Sequence, residues 1–158
     1  MVKRILLGEE KTIKVMLLLS FFLVLLFSYL LYLHYSTSLS FCDISPEISC
    51  DIVNKSIYSV FPPVNGIPVA LIGIGTFLAT HLLLHSLLRG KTSKLAGIRI
   101  NRDSLKTIIF YLMLLSFLFS MYLLFTELFL IMSLCLLCVL ADIIILIILF
   151  LSYKLKEA

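Results

Sequence analysis

Four apolar stretches, each long enough to cross a lipid bilayer, constrain this chain more than any other feature of its sequence. A transmembrane helix needs about 20 apolar residues. Only 14% of the residues are charged and 61% are hydrophobic, whereas about a quarter of the residues in a soluble domain are charged. The sequence therefore predicts an all-α integral membrane protein, a four-transmembrane-helix bundle in one membrane domain over residues 1–158. The predicted spans are residues 15–34, 67–88, 107–126 and 128–153.

Two polar segments and one tight turn connect these spans. Residues 35–66 contain three of the four prolines and are predicted to form an extracytoplasmic loop. Within this loop, residues 51–61 are predicted to form a short helix that lies on the membrane surface and ends at Pro62. Residues 89–106 form a basic loop, and little more than Glu127 is available as the turn between the third and fourth spans.

The distribution of lysine and arginine predicts the side of the membrane that each segment occupies. Of the 13 basic residues, four lie in the N-terminal tail, six in residues 89–106 and two in the C-terminal tail, which leaves only Lys55 in residues 35–66. Cytoplasmic segments carry an excess of lysine and arginine, so both termini are expected to be cytoplasmic. The basic residues flank apolar spans without aromatic residues between them, and nucleic-acid binding is therefore not expected. The first apolar stretch exceeds the roughly 7 to 15 residues of a signal peptide, so cleavage is not expected either.

Two of the four cysteines, Cys135 and Cys138, lie three residues apart within the fourth apolar stretch. In a helix this spacing places both sulfurs on nearly the same face, where they can close a disulfide or act as a pair. Counted from a turn at Glu127, they are expected ~12 to 17 Å along the helix. All four cysteines would then lie near the extracytoplasmic face, where disulfides form.

The other two cysteines, Cys42 and Cys50, enclose seven residues of the polar loop. An exposed and loosely held pair of this kind is suited to thiol–disulfide exchange. The alternative is a structural disulfide in the loop, with Cys135 and Cys138 as ordinary buried apolar residues. A zinc site is not expected, because structural zinc sites have two closely spaced pairs and one pair here is separated by seven residues.

With these motifs the chain resembles the vitamin K epoxide reductase family of membrane thiol–quinone oxidoreductases. The resemblance covers residues 20–150. It rests on two cysteine pairs in this order, a serine six residues after Cys50, and a turn that opens the second helix. The matching residues are Cys42-Asp43, Cys50, Ser56, Asn65-Gly66-Ile67-Pro68 and Cys135-Leu-Leu-Cys138.

The resemblance implies a four-helix bundle around a membrane quinone of the ubiquinone or menaquinone type, with no metal. The loop pair is expected to take electrons from a separate thioredoxin-like partner that attacks Cys42. Cys50 then exchanges with Cys135, and Cys138 faces the quinone. Ser56 and Asn65 match family positions near the quinone, where a hydroxyl or amide can hydrogen-bond a quinone oxygen. The cysteines are therefore the expected catalytic residues.

Asp142 follows Cys138 by four residues and lies on the same helix face. A carboxylate within a membrane span is costly, and such residues usually have a function. Animal members of the family tend to carry a tyrosine at this place. The hypothesis is that Asp142 binds the quinone as a proton relay or as a polar wall of its pocket. The alternative is a carboxylate that is paired with a buried partner or reaches water.

These observations predict a membrane enzyme that forms disulfides in a thioredoxin-like partner and passes the electrons to a quinone. One alternative is a vitamin K quinone or epoxide reductase in the strict sense. A second four-helix thiol–quinone family has its CxxC pair in the first outer loop, the reverse of the order found here. A third alternative is a non-enzymatic membrane scaffold with a structural disulfide.

Overall fold

The structure, a computed structural model, describes residues 2–37, 40–63, 65–89, 93–95 and 98–157. Part of the predicted basic loop, residues 90–92 and 96–97, therefore lies outside the described residues. The prediction that residues 1–158 form one membrane domain stays a prediction.

Four long helices form the body of the molecule, and each is long and apolar enough to cross a membrane. Large apolar side chains remain exposed along all four, as expected for helices that face lipid. The prediction of four spanning helices in an all-α fold is confirmed. These helices are α1 (Val2–Tyr35), α3 (Val69–Leu88), α4 (Arg102–Thr126) and α5 (Leu136–Glu157).

Helix α1 begins well before the predicted span, at Val2 rather than at residue 15. Its polar first part still forms a helix, because side chains there find partners within reach. Glu10 and Lys14 form an ion pair of 2.6 Å one turn apart. Glu9 is buried and binds Lys106 at the start of α4, at 2.7 Å. This ion pair joins α1 to α4 at the end of the bundle where the chain begins.

The bundle is built from two closely packed helix pairs, α1 with α3 and α4 with α5, and α1 also contacts α5. Gly73 of α3 lies against the Phe27 ring of α1, and a Cβ at that position would come within 2.6 Å of the ring. The missing side chain thus lets the two helices approach closely. Fully buried side chains from all four helices form the core, among them Met16, Leu23, Leu84, Ile109, Met113 and Ile148.

The predicted loop helix is present but shorter than residues 51–61. Helix α2 (Cys50–Asn54) is followed by a 3-10 turn (Ile57–Ser59). The helix stops early because the Ser56 hydroxyl donates to the Val53 carbonyl at 2.8 Å, a carbonyl that a longer helix would use itself. The Asn54 amide donates to the Leu30 carbonyl of α1 at 2.5 Å and so fixes the last residue of α2 against α1.

A small hairpin connects the loop to α3, with strand β1 (Val60–Phe61) antiparallel to β2 (Ile67–Pro68). A Cβ on Gly66 would overlap the backbone of Phe61 and Pro62, so only glycine fits this turn. A second hairpin, β3 (Ser93–Leu95) with β4 (Ile98–Ile100), lies between α3 and α4.

The predicted turn at Glu127 is wrong. Helix α4 continues through a π-helical segment, Glu127–Ile131, and ends at Met132, which has a left-handed conformation with a φ of 54°. The connection is formed by residues 132–135, and α5 begins at Leu136 rather than at residue 128. The reason is that Glu127 is satisfied inside the protein: its backbone carbonyl accepts the Ser133 N–H and its carboxylate accepts the Cys135 N–H.

Candidate active site

The loop cysteines form a disulfide, with their Cα atoms 5.7 Å apart. The expectation of an exposed and loosely held pair is wrong, because Cys42 is only 2% exposed and Cys50 is fully buried. Side chains around the pair hold the loop closed. The backbone N–H of Ser40 donates to Asp51 Oδ2 at 3.1 Å, and Ser40 Oγ lies 3.4 Å from Cys42 Sγ. Ser40, two residues before Cys42, is thus bound to α2, the helix that begins at Cys50.

The second pair, Cys135 and Cys138, is not bridged. Cys138 lies in the first turn of α5, and Cys135 precedes the helix. The pair is therefore at the N-terminus of the helix rather than deep within it. The Cys138 N–H donates to Cys135 Sγ at 3.2 Å. A sulfur in this position takes the place of a helix N-cap and receives the partial positive charge of the helix N-terminus.

The two pairs are brought together by contacts between residues 47–49, which precede Cys50, and residues 133–134, which precede Cys135. Ile48 and Leu134 form a parallel β-bridge. The Leu134 N–H donates to the Glu47 carbonyl at 2.9 Å. The Ser133 hydroxyl donates to the Ser49 carbonyl at 3.5 Å. Cys50 and Cys135 are both fully buried in the same apolar cluster.

A cavity of about 110 Å³ lies beside the second pair, enclosed by the bundle and by the loop. This size is on the scale of cavities of about 150 Å³ that take up one aromatic ring. Cys138, Ser56 and Asp142 line it, so three of the residues predicted near the quinone come together. Most of the remaining wall is apolar or aromatic, including Phe27, Val69, Phe77, Phe119, Leu123 and Ile145.

Asp142 faces α4, where the Ser120 hydroxyl donates to its carboxylate. Asn65, by contrast, is exposed and is not among the described residues that line the cavity. The amide that does line the cavity belongs to Asn54, in the loop helix. The role predicted for Asn65 at the quinone stays a prediction.

Sequence reasoning missed Glu127. This residue is 3% exposed, lines the cavity together with Cys138, and binds the start of α5. The signal for it was present, because a carboxylate in an apolar stretch usually has a function. Its position between two predicted spans made a turn the simpler interpretation.

Among the described residues, no three histidine, cysteine or acidic side chains are grouped closely enough to hold a metal ion.

A family model described as the vitamin K epoxide reductase family matches residues 14–153 of the chain. The match covers most of the chain and includes all four cysteines, α2 and the cavity-lining residues. No curated protein matches the chain.

Proposed function

The chain belongs to the vitamin K epoxide reductase family of membrane oxidoreductases, and on this premise we propose that it forms disulfides at the expense of a quinone. Electrons pass from a separate thioredoxin-like partner to Cys42 and Cys50, then to Cys135 and Cys138, and finally to a quinone of the ubiquinone or menaquinone type. The loop pair faces the extracytoplasmic side and both termini are cytoplasmic, as the distribution of lysine and arginine favours.

The observation that carries this proposal is the pairing of Ile48 with Leu134, which brings the segment before Cys50 to the segment before Cys135. In the transfer between the pairs, the Cys50 thiolate attacks Cys135 in a Cys135–Cys138 disulfide and releases the Cys138 thiolate. Cys42 then attacks Cys50, which closes the loop disulfide and releases Cys135. Two electrons have moved inward, and the products are a bridged loop pair and a reduced second pair, which is the arrangement in the structure.

The position of Cys135 at the start of α5 supports its role as the sulfur that exchanges with the loop. The residue before Cys135 pairs with the loop. Cys135 Sγ accepts the Cys138 N–H at the N-terminus of α5, which fixes the position of this sulfur. Cys138 has a different environment, since it lines the cavity.

The cavity has the chemical character that a quinone head group needs. Its wall is largely apolar and aromatic, with hydroxyl and carboxyl groups at separate places where quinone oxygens could be bound. Ser56 can turn its hydroxyl from the Val53 carbonyl toward a ligand. Asp142, which lines the same cavity, is a polar wall or proton relay. A bound quinone supplies an acceptor for two electrons and two protons.

The partner must reach Cys42, which is buried when the loop is closed. Two apolar side chains flank this cysteine on the surface: Phe41 is 74% exposed and Ile44 is 69% exposed. Apolar, exposed positions beside a buried disulfide are consistent with a docking partner that opens the loop as it binds.

The test is reduction of quinone by purified protein with a dithiol as the electron donor, in the wild type and in Cys138→Ala. Activity of the variant should fall to the background rate, because the sulfur next to the quinone is gone. Activity at the wild-type level in Cys138→Ala would remove the proposal. Cys42→Ala and Cys50→Ala test the partner step separately, since one of them should trap a mixed disulfide with a thioredoxin-like protein and a scaffold should trap none.

A further inference from the structure

Glu127 lies at the junction of α4 and α5, where the second cysteine pair begins. One carboxylate oxygen, Oε2, accepts the Cys135 N–H at 3.1 Å. Glu127 and Cys138 also line the same cavity. A single buried carboxylate thus binds the backbone of one residue of the reactive pair and lies on the cavity wall with the other. The π-helical turn that begins at this residue is a type of irregularity that is frequent at functional sites.

Few groups along the cavity can accept a proton from a thiol. No lysine, arginine or histidine is found among the described residues that line it. The titratable groups there are Cys138 itself, Tyr58 and two carboxylates, Glu127 and Asp142. Asp142 lies one helical turn beyond Cys138 and receives the Ser120 hydroxyl. Glu127 is therefore the cavity carboxylate that is bound directly to the thiol pair, through the Cys135 N–H.

Oxidation of a dithiol requires that both sulfurs lose their protons. Two S–H bonds break, one S–S bond forms, and two electrons and two protons leave the protein. In an apolar cavity this is difficult, because a thiolate is poorly solvated and its proton has nowhere to go. A carboxylate beside the sulfur provides an acceptor for the proton. The transfer adds no net charge to the site, because the carboxylate becomes neutral as the thiolate forms.

We propose that Glu127 is the catalytic base of the second cysteine pair, accepting the Cys138 proton and holding it beside the cavity until the quinone is reduced. The Cys138 S–H bond breaks, the proton passes to the Glu127 carboxylate, and the negative charge moves to Cys138 Sγ. When the Cys135–Cys138 bond forms, the electron pair passes to the quinone and this proton follows. The Cys135 proton is the second one that the quinone takes up. The naming of the quinone as acceptor rests on the proposed function, whereas the proton transfer itself needs only the thiols and Glu127.

A residue that only held the start of α5 in place would give a different result. Glu127→Gln keeps an oxygen that can accept the Cys135 N–H but cannot take up a proton at neutral pH. The variant therefore separates the holding role from the base role. Glu127→Asp keeps a carboxylate on a side chain one methylene shorter, and it serves as the conservative variant.

The experiment measures the rate at which N-ethylmaleimide alkylates Cys138, located by peptide mass spectrometry, in detergent-purified protein without quinone or partner. The protein is first reduced and freed of reductant, and the rate is measured from pH 5.5 to 9. In the wild type the proton is shared within the site, so the rate should change little with pH once Glu127 is ionised. In Glu127→Gln the thiol must lose its proton to water, and the rate should rise about tenfold per pH unit. Glu127→Asp should keep the flat profile, as should Asp142→Asn, in which the other cavity carboxylate is changed.

The same tenfold rise per pH unit in wild type and in Glu127→Gln would overturn the proposal and leave Glu127 as a positioning residue. The wild-type profile alone also decides the question if Glu127→Gln does not fold, because a rise of this steepness in the wild type excludes an internal base. Thermal unfolding of each variant shows whether the fold is retained. Since no quinone is present, failure here leaves the proposed quinone reduction standing, and loss of quinone reduction leaves this test unaffected.

Discussion

The loop cysteine pair and the helix cysteine pair lie side by side, yet the chain holds them in different ways. Cys42 and Cys50 are kept in place by side-chain hydrogen bonds across a loop, chiefly the bond from the Ser40 N–H to Asp51. Cys135 and Cys138 are held by the backbone at the start of a long helix. Breaking a few polar contacts can release the first pair, whereas moving the second pair would disrupt α5.

The difference suits the two pairs to different partners. A protein partner cannot enter the bundle, so the pair that reacts with it must be able to reach the surface. A lipid-soluble quinone can approach a cavity between helices, and a fixed pair there benefits from constant geometry. Under the proposed function the loop pair moves and the helix pair stays in place, and the two meet at the Ile48–Leu134 bridge.

The largest effect is expected from Cys50→Ala, which removes the contact between the pairs and keeps both Cys42 and the helix pair. Quinone reduction driven by the thioredoxin-like partner should fall at least ~100-fold. Reduction driven by a small membrane-permeant dithiol should continue, because such a donor can reach Cys135 and Cys138 directly. The two donors are compared in one quinone-reduction assay.

Cys138→Ala is the matched control, since it should lose activity with both donors. Partner-driven turnover at the wild-type rate in Cys50→Ala would mean that the loop pair is not an obligatory intermediate, and the contrast between the pairs would fail.

A smaller effect is expected from Asp142→Asn, which touches only the helix pair and its cavity. Turnover with quinone should fall about tenfold, because a proton relay or a polar contact to the quinone is weakened. Reduction of the loop disulfide by the partner should be unchanged in the same protein. Ser120→Ala, which removes the hydroxyl that binds Asp142, should give a milder loss. Unchanged turnover and an unchanged pH dependence in Asp142→Asn would assign the carboxylate a structural role.

The smallest effect is expected from Asp51→Ala, and here the rate should increase rather than fall. Loss of the Ser40–Asp51 hydrogen bond should loosen the loop, and a hydrogen bond of about 1 kcal/mol corresponds to about fivefold more open loop. Reduction of the Cys42–Cys50 disulfide by a bulky dithiol should be faster by that factor. The alkylation rate of Cys138 should not change.

Asp43→Ala provides the control for this experiment, because Asp43 is exposed and adjacent to Cys42 but does not make this contact. A rate of loop reduction that is equal in Asp51→Ala and in the wild type would show that other contacts hold the loop closed.

Much of the fold could be predicted because the relevant signals are local. Apolar length and hydropathy identified four spanning helices, and the part of the chain that the structure describes contains four. The loop helix was also expected, although its end at Asn54 depends on a contact with Leu30 of α1. The turn at Glu127 could not be placed, since one charged residue between apolar stretches looks the same whether it faces water or is buried with a partner.

The candidate site also contains residues that could be predicted from the sequence and residues whose positions depend on the tertiary structure. The cysteines, Ser56 and Asp142 were found from their spacing and from family resemblance, and the structure brings Cys138, Ser56 and Asp142 to one cavity. Asn65 matches the family motif in sequence, but the hairpin leaves it exposed.

The sequence by itself determined that this is a four-helix membrane protein of a thiol-oxidoreductase family, because helix length, charge distribution and cysteine spacing are properties of short segments. The tertiary structure decided how deeply each sulfur is buried and which groups surround it. Cys42 is covered because Ser40 is tied to Asp51, and Cys135 meets the loop because Leu134 pairs with Ile48. Such contacts join residues far apart in the chain, and their geometry is set by the packing of whole elements. The position of Glu127 beside both thiols is a result of that packing.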